Sequence, residues 1–138
     1  MMDWNEFQKY CAALTTWREA RGEVAVAGRD ALRGVLHVID NRAKKHNKSW
    51  AQVCFAYLQF SSMTAPGDPQ IKAGVVPVTP DPIFIDCYDI AEAIQGGEDF
   101  DLTSGSIHYF NPHVVLPSWA ATMTATCVIG NHAFYREA

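Results

Sequence analysis

Arg18-Glu19-Ala20-Arg21-Gly22-Glu23 breaks the first helical pattern of the chain, and the rest of the sequence is read outward from it. Upstream, Trp4, Phe7, Cys11, Leu14 and Trp17 recur at steps of three and four, which sets them on one face of a helix with Asp3 as its N-cap. Gly22 lets the backbone turn, so two carboxylates and two guanidinium groups crowd one helix end. Taken alone, such an end reads as solvated and paired with itself. If the helix continued, Glu19 and Glu23 would share a face.

Beyond the break a second periodic run, Ala31, Val35, Val38, Ile39 and Arg42, predicts a longer helix from about Gly28 to Lys45. Ser49 caps a third, shorter one that begins Trp50-Ala51-Gln52-Val53. Five of the seven prolines fall between Pro66 and Pro82, with Gly67 and Gly74 among them, which argues against a regular helix and predicts a long ordered loop or a flap. Asp86 to Gln95 carries a fourth helix, stopped by Gly96-Gly97. Ser106 to Phe110, Thr122 to Ile129 and Ala133-Phe134-Tyr135 then have the β-branched and aromatic content of strands, the last two joined at Gly130-Asn131 as a hairpin. Helices first and short strands last predict an α+β domain.

A chain of 138 residues and 15.3 kDa has the length of one domain, so 1–138 is expected to fold as a single unit. With 49% hydrophobic and 19% charged residues it has apolar surface enough for a core. A net charge of -4 argues against a nucleic-acid partner. The opening Met1-Met2-Asp3-Trp4-Asn5-Glu6 lacks the basic residues of a signal peptide, and no apolar run approaches the roughly 20 residues of a membrane span, so synthesis in the cytoplasm without stable membrane insertion is expected. Cys11, Cys54, Cys87 and Cys127 form no CxxC pair and read as buried free thiols. His37, His46, His108, His113 and His132 show no HExxH or comparable spacing, and neither a metal nor another cofactor is expected.

Six segments stand in one order: Glu19-Ala20-Arg21-Gly22-Glu23, Val38 to Arg42, Gln59-Phe60-Ser61, Gly105 to Asn111, Trp119, and Gly130-Asn131-His132-Ala133-Phe134-Tyr135. In that order they resemble the SleB-type cell-wall hydrolase family, whose catalytic domain is similar to lysozymes and soluble lytic transglycosylases. Two departures stand out. The family box usually carries Gly before its first Glu, where this chain has Arg18, and the proline-rich stretch 64–82 is unlike the family's shorter links.

The resemblance implies a lysozyme-like α+β fold, mainly helical with short strands and a C-terminal hairpin, and an enzyme that cuts the MurNAc-GlcNAc β-1,4 bond of peptidoglycan. It assigns the catalytic acid to Glu19. Glycosidic cleavage near neutral pH needs a carboxyl kept protonated beside the leaving oxygen, and for that Arg18 and Arg21 must point elsewhere. Tyr109-Phe110-Asn111 resembles the Ala-Tyr-Asn segment of lytic transglycosylases, which brings a phenol and an amide to the cleft. On the residues alone, Tyr109 is a half-buried strand aromatic and Asn111 a turn residue before Pro112. Gln59 and Ser61 are candidates for the cleft wall, or for an ordinary helix exit. His132 and Tyr135 are placed on the substrate side by the same resemblance, although a histidine after a Gly-Asn turn also reads as a surface residue.

A hydrolytic glycosidase needs two carboxylates. A lytic transglycosylase needs one, because the muramic 6-hydroxyl attacks and closes a 1,6-anhydro ring. Glu19 is the one convincing acid, and Glu23, Asp86 and Asp89 are the candidates for a second. A lytic transglycosylase with 1,6-anhydro-MurNAc products is therefore expected, with a hydrolytic muramidase as the alternative and a non-catalytic glycan-binding module as a third reading. The expected partners are peptidoglycan glycan strands, met by a monomer. A wall enzyme without an export signal resembles a phage endolysin, which would reach the periplasm and cell wall after release by a separate holin. The cationic end of the second helix, Arg42, Lys44, Lys45 and Lys48, reads as solvated, with contact to anionic wall polymer left open.

Overall fold

Asp3 opens the first helix, α1 (Trp4–Ala20), by accepting the Glu6 N–H at 2.9 Å. The computed structural model describes residues 2–56, 60–65, 67–72, 74–78 and 80–138, without the side chains of Ser61 and Lys72. Apart from Trp17, the residues α1 buries are small (Cys11, Ala12, Ala13, Thr15, Thr16, Ala20), which lets α3 (Arg29–His46) and α7 (Pro82–Gln95) pack closely against it. Trp4 and Phe7, expected on the same inward face, are 59% and 40% exposed and stack on each other at 5.8 Å. The apolar periodicity is right for a helix, but these first turns present it to solvent.

After α1 the chain makes a 3₁₀ turn (Arg21–Glu23) and the short α2 (Val24–Ala27) before Gly28, at φ 63°, redirects it into α3. Leu32, Val35, Leu36 and Ile39 of α3 join Trp17, Trp50, Phe60 and Ile90 in the core. Ser49 and Gln52 form a reciprocal capping box at the start of α4 (Trp50–Cys54). A single turn of helix, α5 (Ser61–Thr64), precedes the proline-rich region, which itself holds another, α6 (Pro69–Lys72), where only loop was expected. Pro69 is tolerated because it stands first in its turn. Likewise α7 starts a turn earlier than Asp86, since Asp81 caps it and Pro82 occupies the first helical position.

The C-terminal third forms one antiparallel sheet of β1 (His108–Phe110), β2 (Met123–Ile129) and β3 (His132–Glu137), in the order β1-β3-β2. Tyr109 stands opposite Phe134, and a bulge between Ala125 and Cys127 shifts the β2 register. Phe134 is fully buried against Gly34, where an added Cβ would lie 2.7 Å from its ring. That close approach seats the sheet on α3 and completes the expected α+β fold. The four cysteines are free, three buried and Cys127 half-buried, and burial pushes the thiols of Cys54 and Cys87 up to about 12. No helix among the described residues is long and apolar enough to cross a membrane.

Candidate active site

Glu19 sits in the last turn of α1, half-buried, and its Oε1 accepts the Tyr109 hydroxyl at 2.7 Å. The Tyr109 ring packs against both His132 and Phe134, at centroid distances of 4.9 and 5.5 Å. Burial and the adjacent Glu19 carboxylate raise the phenol well above its ordinary pKa, so it stays protonated and serves as a donor. The His132 imidazole is held below its ordinary value by burial, against the pull of the Glu23 and Glu19 charges.

Glu23 is brought to the same region by the 3₁₀ turn, but its two oxygens are committed. Oε1 accepts the Asn131 N–H at 2.9 Å and Oε2 accepts the Asn131 side-chain amide at 3.1 Å, so the carboxylate anchors the hairpin turn to the end of α1. Gly130 has φ 60° there, and its open Cα face lies against Ala27 and Glu23.

The two arginines of the box point away from Glu19. Arg18 donates to the Val75 carbonyl at 2.9 Å and the Ser62 carbonyl at 2.8 Å. Arg21 donates to Gln70 Oε1 at 2.6 Å and lies over the Trp17 ring at 4.1 Å, while the Gln70 amide returns a bond to the Arg18 carbonyl at 3.1 Å. The two departures from the family pattern are thus one device: Arg18 straps the proline-rich segment onto the helix end that carries Glu19.

Tyr109 is aimed by a polar stripe on α3 that the apolar periodicity concealed. Arg33 and His37 hold Asp99, with His37 Nε2 2.6 Å from Asp99 Oδ2. Burial would raise the Asp99 carboxyl, but the His37 and Arg33 hydrogen bonds outweigh it and set the group below the usual carboxylate range. Asn41 donates to Asp101 Oδ2 and to the Ser106 carbonyl, and Asp101 in turn accepts from Thr103 and the Gly105 N–H. Arg42 donates to the Ile107 carbonyl at 2.5 Å. Residues spaced by four along one helix therefore stitch down the loop that leads into β1. Repeated spacing of Arg33, His37 and Asn41 was the available signal.

The remaining candidates fall elsewhere. Asn111 accepts the His113 N–H at 2.9 Å, as a turn residue does, and no contact among the described residues joins it to Glu19. Tyr135 stacks on Phe110 at 5.3 Å and meets Trp119 edge-on, in an aromatic cluster separate from the one around Tyr109. Gln59 and the Ser61 side chain lie outside the described residues. Asp86 pairs with Arg29 at 3.0 Å, on an exposed face. The basic end of α3 is not uniformly solvated: Lys44 pairs with Asp40, Lys45 with Glu137, and Arg42 is buried.

A carboxyl at the end of a helix is thus faced by a small antiparallel sheet within one α+β fold. The model of the cell wall hydrolase family matches residues 19–135, and the chain belongs to that family. Its fold is that of the catalytic domain of the Bacillus cereus SleB protein, with a TM-score of 0.69 and 23% identity over 99% of this chain and 93% of that one. The catalytic domain of the germination-specific lytic transglycosylase SleB from Bacillus anthracis is similar too, with a TM-score of 0.66 and 23% identity over 97% and 96% of the two chains. No curated protein sequence matches significantly.

Proposed function

We propose that the chain is a lytic transglycosylase that cuts the MurNAc-GlcNAc β-1,4 bond of peptidoglycan with Glu19 as its general acid and later base, releasing 1,6-anhydro-MurNAc ends. The observation that carries this reading is the division of labour between the two box carboxylates. Glu23 spends both oxygens on Asn131, whereas Glu19 meets one phenol and, among the described residues, has no hydrogen-bond partner at Oε2. One available acid suits a reaction in which the muramic 6-hydroxyl, held about 3–3.5 Å from the anomeric carbon, replaces water as nucleophile. Glu19 would protonate the leaving oxygen and then take the proton of that hydroxyl, while Tyr109 fixes the carboxyl's orientation. A phage endolysin, released to the wall by a separate holin and acting as a monomer, remains our proposal for its setting.

Mass spectrometry of digested sacculi tests the mechanism. Muropeptides lighter by one water, resistant to borohydride, are expected. Reducible MurNAc ends carrying oxygen-18 from solvent would instead make the chain a hydrolytic muramidase. Glu23 freed from Asn131 would then be the first carboxylate to test as base.

A further inference from the structure

A cavity of about 250 Å³ at the C-terminal end of α3 is walled by Arg42, His46, Lys48, Val53, Ile107 and His108. Its charged and ionisable walls are all basic, and no carboxylate lines it among the described residues. Arg42 is only 8% exposed, yet its contacts are neutral: the Ile107 carbonyl at 2.5 Å, His108 Nδ1 at 3.2 Å from Nη2, and the Phe60 ring 4.9 Å from Cζ. Its Nη1 is buried without a hydrogen-bond partner among the described residues. Glu19 acts on this cation only at a distance, so Arg42 has no carboxylate in hydrogen-bonding contact among the described residues, an arrangement that favours an anionic group nearby. The helix dipole explains cations here in general, but Lys44 and Lys45 already have carboxylates, whereas Lys48 pairs with none among the described residues.

The link from the cavity to the candidate site runs through Arg42, which lies within electrostatic reach of Tyr109 and Glu19, whereas the His108 side chain faces the opposite side of the sheet from Tyr109. A polymer bound at Glu19 could therefore place a substituent in it. Where the lactyl carboxyl of a muramic residue is amide-linked to a peptide the glycan is uncharged, and the carboxylates of the polymer lie on that peptide. Val53, Ala56 and Ile107 add an apolar side suited to a short aliphatic stem ending in that charge. We propose that this cavity is a carboxylate subsite that takes the peptide stem of the substrate, an assignment that rests on the peptidoglycan reading above.

The probe is the free tripeptide L-Ala-γ-D-Glu-meso-diaminopimelate, titrated into the intact chain by calorimetry while the His108 ring is followed by NMR. Binding that perturbs this ring is expected, weakened at least about tenfold by Lys48→Glu and by amidation of the tripeptide carboxylates. Lys48 is exposed, so the reversal leaves the fold intact. Inorganic phosphate is the second probe. Phosphate binding without tripeptide binding overturns the stem assignment, and binding of neither overturns the subsite. The readout does not depend on catalysis. A chain that lyses walls but ignores the tripeptide loses only the subsite, while one that binds it but cuts no glycan loses only the proposed reaction.

Discussion

Tyr109 donates its hydroxyl to Glu19 at 2.7 Å across 90 residues of sequence, so the geometry of the proposed acid is set by the sheet and not by the helix that bears it. Replacing Tyr109 by Phe keeps the ring against His132 and Phe134 and removes only this bond. Stability should fall by about 1 kcal/mol, and wall lysis by roughly tenfold through lost orientation. Chemical denaturation and turbidity clearing measure the two. Wild-type lysis by Tyr109→Phe would reduce the phenol to packing.

Glu19→Gln retains an acceptor for the Tyr109 hydroxyl but cannot give up a proton. The thermal transition should barely move while lysis drops at least about a hundredfold, the lower range of general-acid catalysis. Comparable clearing by the folded variant would remove Glu19 from the reaction.

Gly34→Ala should destabilise the chain by about 1–3 kcal/mol, because the new methyl would sit 2.7 Å from the Phe134 ring and 3.2 Å from Ile129 Cδ1. Phe134 also supports Tyr109, so lysis should decline with stability. An unchanged melting temperature would mean the sheet slides off α3 at no cost.

Burial lowers the imidazoles of both His132 and His108, opposed at His132 by Glu23 and Glu19 and reinforced at His108 by Arg42, Lys45 and His46. The unfolded chain therefore takes up these protons at higher pH than the folded one. The stability they contribute is complete above about pH 6.5 and is lost as pH falls from there through the folded values. His132→Gln should flatten the fall in melting temperature between roughly pH 7 and 5. An unaltered slope would place the titration elsewhere.

All four cysteines should titrate in denaturant without reductant, and reductant should leave the melting temperature unchanged. In the native chain Cys54 and Cys87 should resist alkylation near neutral pH, since their thiols are held at about 12. Fewer than four thiols in denaturant would reveal a bridge.

Much of the fold could be read locally. Val35, Val38 and Ile39 repeat at helical spacing, Ser49 and Gln52 cap α4, and Gly130-Asn131 turns the hairpin, each within a few residues. The hydrogen bond between Tyr109 and Glu19 joins two segments that the resemblance had singled out. What escaped depends on distant partners. Nothing near Arg18 indicates that it will reach Val75, and nothing near Glu23 indicates Asn131. The exposure of Trp4 and Phe7 is likewise a matter of which neighbours arrive, because periodicity defines a face without saying what covers it.

The bond from Asn131 to Glu23 spans 108 residues, nearly the length of the chain. During synthesis α1 leaves the ribosome early and folds against its neighbours while its acid still lacks a counterpart. Only when β3 has been made can it pair with both other strands and give Tyr109 its backing. Contacts of such long range form late and slowly. Until β3 is complete, therefore, Tyr109 has no strand to pair with, and the proposed site is expected to stay unassembled.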